Sequence, residues 1–222
     1  MANDILVKAS GIHKSYGSLP VLKGIDMEVK KGEVVSIVGA SGAGKSTLLH
    51  IIGTLDTPDK GNIIIDQKEV FSQSSGVLAS FRNRSIGFVF QFHNLLPEFS
   101  ALENVMIPGL IGKKNPEDLK RKAKAVMSML GIDHRAEHKP SELSGGEQQR
   151  TAVARALIND PSLILADEPS GNLDSKNARD LHQLFFDLRK QLNQTFIIVT
   201  HNQEFAAMAD RVLEIKDGLI KI

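Results

Sequence analysis

The sequence predicts an α/β fold built on a mostly parallel sheet, and three observations carry that prediction. The apolar run Val34-Val35-Ser36-Ile37-Val38 leads into Gly39-Ala40-Ser41-Gly42-Ala43-Gly44-Lys45-Ser46, and the helical run Thr47–Ile52 follows. A second apolar run, Ser162–Ala166, ends in Asp167-Glu168-Pro169, and a third, Thr195–Thr200, is β-branched and ends at His201. Amphipathic helical patterns separate these runs, and strands that alternate with helices imply parallel pairing.

Taken in order, Ile5–Tyr16 and Leu19–Val29 read as two strands joined at Gly17-Ser18, with partial alternation at Ile25, Met27 and Val29. Tyr16, the only tyrosine in a chain without tryptophan, closes the first strand. An aromatic there can stack on a purine ring or serve as a half-buried strand residue, and both readings stand. Lys30-Lys31-Gly32 is a turn, as is Thr57–Gly61 after the first helix. Asn62–Asp66 and Ser85–Phe90 read as strands separated by a polar segment, Gln67–Arg84. The stretch after Gln91, Phe92-His93-Asn94-Leu95-Leu96-Pro97, is unusually apolar for a loop, so it is either tucked into the core or docked on another molecule.

Asn115-Pro116-Glu117-Asp118 supplies a cap, a first-position proline and first-turn acids, which starts a helix. Leu119, Ala123, Val126, Met127 and Leu130 form its stripe, Gly131 ends it, and Lys120, Arg121, Lys122 and Lys124 form its solvated face. His134 and His138 have helical ligand spacing but no third ligand in view, so they read as surface histidines. Ser144 and Glu147 make a capping box ahead of Val153, Ala156 and Leu157. Gly145 and Gly146 oppose helix propensity in that first turn and suit close approach of a ligand to the backbone. Asp174 begins another helix with Leu181, Leu184, Phe185, Leu188 and Leu192 on one face, and Arg211–Lys216 with Leu219–Ile222 form a hairpin across Asp217-Gly218.

At 222 residues the chain suffices for one sizeable core with a subdomain set into it, here a helical insertion around 92–160. Its 27 Lys and Arg balance 26 Asp and Glu, so no overall field favours nucleic acid or an anionic membrane. The absence of cysteine excludes disulfides and Cys-ligated metals. Met1–Ile5 lacks the features of a signal peptide, and no apolar run approaches the ~20 residues that span a bilayer. The chain is therefore expected to be soluble, with any membrane role passing through partners.

The glycine loop has the residues of a phosphate cradle. Its backbone N–H groups can turn onto an anion at a helix N-terminus, Lys45 can reach the β- and γ-phosphates, and the Ser46 hydroxyl can ligate magnesium. Such a loop needs an acid on a neighbouring strand to hold the metal, and Asp167 supplies it. Glu168, the next residue, is placed to accept the proton of a water attacking the γ-phosphate.

Leu143-Ser144-Gly145-Gly146-Glu147-Gln148-Gln149-Arg150, lying between the glycine loop and the Asp-Glu strand, resembles the signature of ABC-transporter ATPase subunits. The resemblance covers essentially the whole chain. It implies one ABC ATPase domain over 1–222, with residues 1–91 and 161–222 forming a P-loop core and an N-terminal antiparallel β subdomain, and residues 92–160 a helical signature subdomain. It implies that Tyr16 and Gly39–Thr47 bind ATP, that Ser46, Gln91 and Asp167 hold Mg2+, and that Gln91, Glu168 and His201 take part in hydrolysis. Ser170-Gly171-Asn172-Leu173-Asp174 becomes the D-loop. The family works as a head-to-tail homodimer, so Ser144, Gly145, Gly146 and Glu147 would meet the ATP of the other chain; Glu147 stands where many relatives carry glutamine. Phe92–Glu98 and the helical subdomain would dock integral-membrane subunits at the cytoplasmic face of a bacterial inner membrane.

Asp167–Asp174 resembles a bacterial group that holds lipoprotein-releasing, macrolide-exporter and cell-division ATPases, and within it Phe90–Val105 looks most like the lipoprotein-releasing type. The repair and chromosome-organising ATPases carry a long coiled coil that has no counterpart here, so nucleic acid is not an expected partner.

Overall fold

Strand β3 (Val34–Val38) lies inside the larger of two sheets, and its burial explains its composition. Val34 joins the core on one face of that sheet while Val35 and Ile37 join the core on the other. Strand β8 (Thr195–Val199) beside it and β7 (Leu163–Asp167) beyond β8 behave alike: Ile164, Ala166, Phe196 and Ile198 face one core, and Leu163, Leu165, Ile197 and Val199 the other. A strand buried on both faces reads as a continuous apolar run, because no face is left for polar residues.

A computed structural model of the chain describes residues 4–221. Met1–Asn3, part of the N-terminal reading, and Ile222, the last residue of the expected hairpin, lie outside the described residues. The larger sheet runs β10-β9-β3-β8-β7-β6, with β6 at Ile86–Phe90, β9 at Arg211–Lys216 and β10 at Leu219–Lys221. All neighbours are parallel except β10, which turns back on β9. The smaller sheet is antiparallel, in the order β2-β1-β4-β5: β1 spans Ile5–Tyr16, β2 Leu19–Lys30, β4 Lys60–Ile65 and β5 Lys68–Glu69. Helix α1 (Lys45–Ile52) buries Leu48, Leu49, Ile51 and Ile52 in the one core that the two sheets share.

Three helices depart from the sequence reading. The polar segment 67–84 contains β5 and helix α2 (Ser75–Ser85), which buries Phe81 alone and so shows almost no periodic signal. The stretch after the apolar loop is helix α3 (Ala101–Ile111), apolar on most sides and carrying Pro108 inside it. Helix α4 (Pro116–Met129) starts under Asn115, whose Oδ1 accepts the Glu117 and Asp118 amides. Helix α5 (Gly145–Leu157) follows the Ser144–Glu147 box, and α6 (Ser175–Leu192) follows Asp174. The third unread helix is the six-residue α7 (Gln203–Met208). On α6, Leu181, Phe185 and Leu188 are buried, but Leu192 is exposed, because the last turn runs past the core. Among the described residues no helix is long and apolar enough to cross a membrane.

Phe185 anchors the helical side, packing edge-on against Phe196 and beside Phe205. Phe185→Ala is expected to lower unfolding free energy by about 3–5 kcal/mol, read from denaturant midpoints.

Candidate nucleotide site

The parallel register assembles the site. Ile37, Val199, Asp167 and Phe90 stand in one row across β3, β8, β7 and β6. The residues just beyond that row are Gly39, Thr200-His201, Glu168 and Gln91, so four distant segments emerge at one edge. Ligands of open α/β sheets bind at such carboxyl ends. A cleft of about 640 Å³ there is lined by Tyr16, most of the glycine loop, Ser46, Thr47, Gln91, Glu168 and His201. Ala40 and Ala43 line an adjoining hollow instead, with Leu19 and Gly218.

The loop is built for an anion. Gly39 has φ +149°, and a Cβ there would fall 2.2 Å from the Ile215 carbonyl oxygen, so only glycine fits. Helix α1 begins at Gly44 with no side-chain cap and no acid in its first turn. Helix α2 likewise lacks a side-chain cap, whereas α3, α4, α5, α6 and α7 each carry one. The first N–H groups of α1 therefore keep their positive ends for a ligand. Lys45 Nζ donates to Gly39 O and Ala40 O, both at 2.9 Å, which draws the ammonium across the loop.

Ser46 Oγ lies 3.2 Å from Asp167 Oδ1. Burial pushes the Asp167 carboxyl above its ordinary pKa, outweighing the Ser46 hydroxyl that donates to it. Two hard oxygen donors side by side suit magnesium, which takes few protein ligands and completes its shell with phosphate and water. Glu168 has φ +47°, a left-handed conformation that β-strand continuation would never impose on a non-glycine residue. Its N–H donates to Val199 O at 2.9 Å, and its Oε2 accepts the His201 N–H at 3.2 Å. The same oxygen is 2.8 Å from His201 Nδ1. Backbone and ring of His201 thus hold one carboxylate oxygen. Gln91 Nε2 donates to Asn172 Oδ1 at 3.0 Å, and Asn172 Nδ2 returns a bond to Gln91 O at 3.1 Å, tying Gln91 to the segment 170–174.

The other expected residues lie outside this cleft. Ser144 Oγ and N–H both donate to Glu147 Oε2 at 2.8 Å, and these bonds, the Ser144 amide foremost, together with the Arg135 guanidinium on Oε1, bring the Glu147 carboxyl down to about 2. A Cβ at Gly145 would meet only Leu173 Cδ2, at 3.6 Å, so nothing within this chain demands glycine there. Asp174 Oδ1 accepts the Lys176 and Asn177 amides and caps α6. The apolar loop is exposed rather than tucked in: Phe92 is 73% exposed, and Leu96 and Phe99 stand out beside it. Buried Asn104 bonds Leu96 N–H, Leu96 O, Phe99 O and Ser100 O, and Arg155 of α5 donates to His93 O and Asn94 O. Next to the loop, a groove of about 490 Å³ is lined by Leu55, Phe88, Phe90, Pro108 and Ile111.

Sequence reasoning placed Asn172 in the D-loop without its bond to Gln91, and it missed Asn104 and Asp56, the last of which accepts the Tyr16 hydroxyl at 2.7 Å. Each is a small polar residue forty or more positions from what it holds, or buried under a loop, and no local pattern marks it.

A glycine-loop cradle opposite a strand-end Asp-Glu pair defines a P-loop nucleotide-binding protein. The chain belongs to the ABC transporter family, whose profile matches residues 22–171. It is similar to the lipoprotein-releasing system ATP-binding protein LolD of Cytophaga hutchinsonii, with 60% identity over 97% of this chain and 98% of that protein. LolD of Bacteroides thetaiotaomicron is 59% identical over 97% of this chain and 99% of that protein. Among solved structures, the dimeric post-hydrolysis state of the ATP-binding cassette MJ0796 bound to ADP and Pi matches with TM-score 0.88 and 41% identity. That match covers 98% of this chain and 97% of the other.

Proposed function

We propose that this chain is the ATP-hydrolysing subunit of a lipoprotein-releasing ABC transporter, acting as a homodimer beneath integral-membrane subunits. The observation that carries the reading is the single cleft in which an aromatic, a phosphate cradle, a held carboxylate and His201 meet. Tyr16 stacks on the base, while the N–H groups of Gly39–Thr47 and the Lys45 ammonium bind the phosphates. Ser46, Gln91 and Asp167 would hold Mg2+, which would offset the charge of the phosphates. Glu168 accepts a proton from the attacking water, and His201 keeps the carboxylate aimed.

Ser144, Gly145, Gly146 and Glu147 complete the site from a second copy of the chain. Their distance from the cleft in their own chain, the unexplained glycine at 145 and the dimeric state of MJ0796 all support this. The loss of the γ-phosphate then removes the anion joining the two copies, so hydrolysis opens the dimer. Domain boundaries follow the same division: residues 1–91 and 161–222 carry the cradle, and 92–160 the partner-facing helices. The exposed side chains of Phe92, Leu96 and Phe99, with the neighbouring groove, support docking of membrane subunits at the cytoplasmic face of the inner membrane.

Leu96→Asp places a charge on that docking loop without touching the cleft. The variant is expected to keep its basal ATPase rate yet fail to restore lipoprotein release in cells depleted of the wild-type protein. Full restoration would move the docking surface elsewhere, and normal lipoprotein release in depleted cells would remove the transport assignment.

A further inference from the structure

Tyr16 ends β1 half-exposed at the rim of the cleft, where an untethered ring would sample several rotamers. Its surroundings prevent that. The Tyr16 hydroxyl donates to Asp56 Oδ2 at 2.7 Å, while Asp56 Oδ1 accepts from Lys14 Nζ and from the Thr57 N–H, each at 2.7 Å. Lys14 Nζ also donates to Thr57 O at 2.7 Å and lies over the Tyr16 ring, 5.3 Å from its centroid. The Ser15 N–H donates to Asp59 Oδ2 at 2.6 Å. The last residues of β1 are therefore strapped to the turn that follows α1, the helix that starts in the phosphate cradle.

The charge states agree with the strap. The Asp56 bond, the largest influence, raises the Tyr16 phenol above its ordinary value. Desolvation works to raise the Asp56 carboxyl, but the bonds from Lys14, Tyr16 and the Thr57 amide together hold it below the usual range. Phenol and ammonium thus stay protonated and the carboxylate ionised.

We propose that Asp56 is a positioning residue for nucleotide recognition: it fixes the Tyr16 ring at the cleft rim, with Lys14 covering one face and the other face left for a purine. Asp56 touches no part of the nucleotide. Its contribution is to remove the ring's freedom before binding, so that stacking no longer has to order it. The cation on one face is attracted by the ring's quadrupole and adds to the same restraint. This inference rests on Tyr16 being the base-stacking aromatic.

The test compares a ligand that has a base with one that does not, ADP and inorganic pyrophosphate, by calorimetry on the full chain. Tyr16→Phe keeps the ring but loses the strap, and Asp56→Asn loses the charge that anchors both partners. Each is expected to weaken ADP binding about 3- to 10-fold, the worth of one net hydrogen bond, and to leave pyrophosphate affinity unchanged. In turnover the same variants raise KM for ATP rather than lower kcat. Tyr16→Ala, lacking the ring itself, is expected to weaken ADP at least as much as either.

Equal losses for ADP and pyrophosphate would mean that Asp56 merely supports the loop and α1, and would overturn the proposal. Unchanged ADP binding in both strap variants, with a loss in Tyr16→Ala, would overturn the proposal and keep the stacking reading. Unchanged ADP binding in Tyr16→Ala would overturn both.

Discussion

Glu168→Gln is expected to lower ATP turnover by roughly 10²- to 10⁴-fold, the range over which a positioned general base contributes. The same variant should still bind ATP and, on adding it, pass from monomer to stable dimer. Glutamine matches glutamate in shape, and its Oε1 can still accept from the His201 N–H and ring, now at 3.2 and 2.8 Å. The left-handed backbone at 168 and its bond to Val199 O are set by the strand end and not by the side-chain charge. What the substitution removes is the capacity to take a proton. On the proposed reading it would also remove a negative charge from beside the γ-phosphate, favouring the closed, ATP-bound state. Phosphate release and ATP-dependent size exclusion measure the two effects. Hydrolysis at the wild-type rate would take Glu168 out of its assigned role.

The parts of this site that could be read from the sequence are those whose physics is local. Strand, glycine loop and helix at 34–52 are contiguous, and Asp167-Glu168 sits directly on the strand that carries it. The caps at Asn115, Ser144 and Asp174 were legible because cap and amide lie within three residues of each other. Helices α2 and α3 were not legible, for opposite reasons: one buries a single side chain, the other is apolar on nearly every side, and neither generates a period. Residue type alone cannot tell an apolar loop that is buried from one that is exposed. Asn104, folded beneath the loop, bonds the Leu96 backbone on both sides, and the Leu96 side chain stands outside. The strap from Asp56 to Tyr16 spans forty positions and exists only once β1 and the end of α1 meet.

Lys45→Ala is expected to weaken nucleotide binding about 10- to 100-fold, the worth of hydrogen bonds to a charged group, and to lower ATPase activity accordingly at moderate ATP. Two roles of Lys45 are lost together. Its Nζ staples Gly39 O and Ala40 O across the loop, and two donors used there leave one proton of the ammonium for a phosphate. Loss of charge and loss of the staple predict different patterns. If the charge dominates, ADP and pyrophosphate weaken equally, and Lys45→Arg recovers part of the affinity. If the staple dominates, the loop loosens and Lys45→Arg, whose planar fork does not reproduce a compact ammonium, recovers none. Either pattern differs from that expected of the Asp56 strap, where pyrophosphate is spared. On the proposed reading, phosphate and base would be held by separable devices, a cradle at the start of α1 and a fixed ring beyond its end. Wild-type affinity for ADP in Lys45→Ala would place the anion away from this loop and end the cradle assignment.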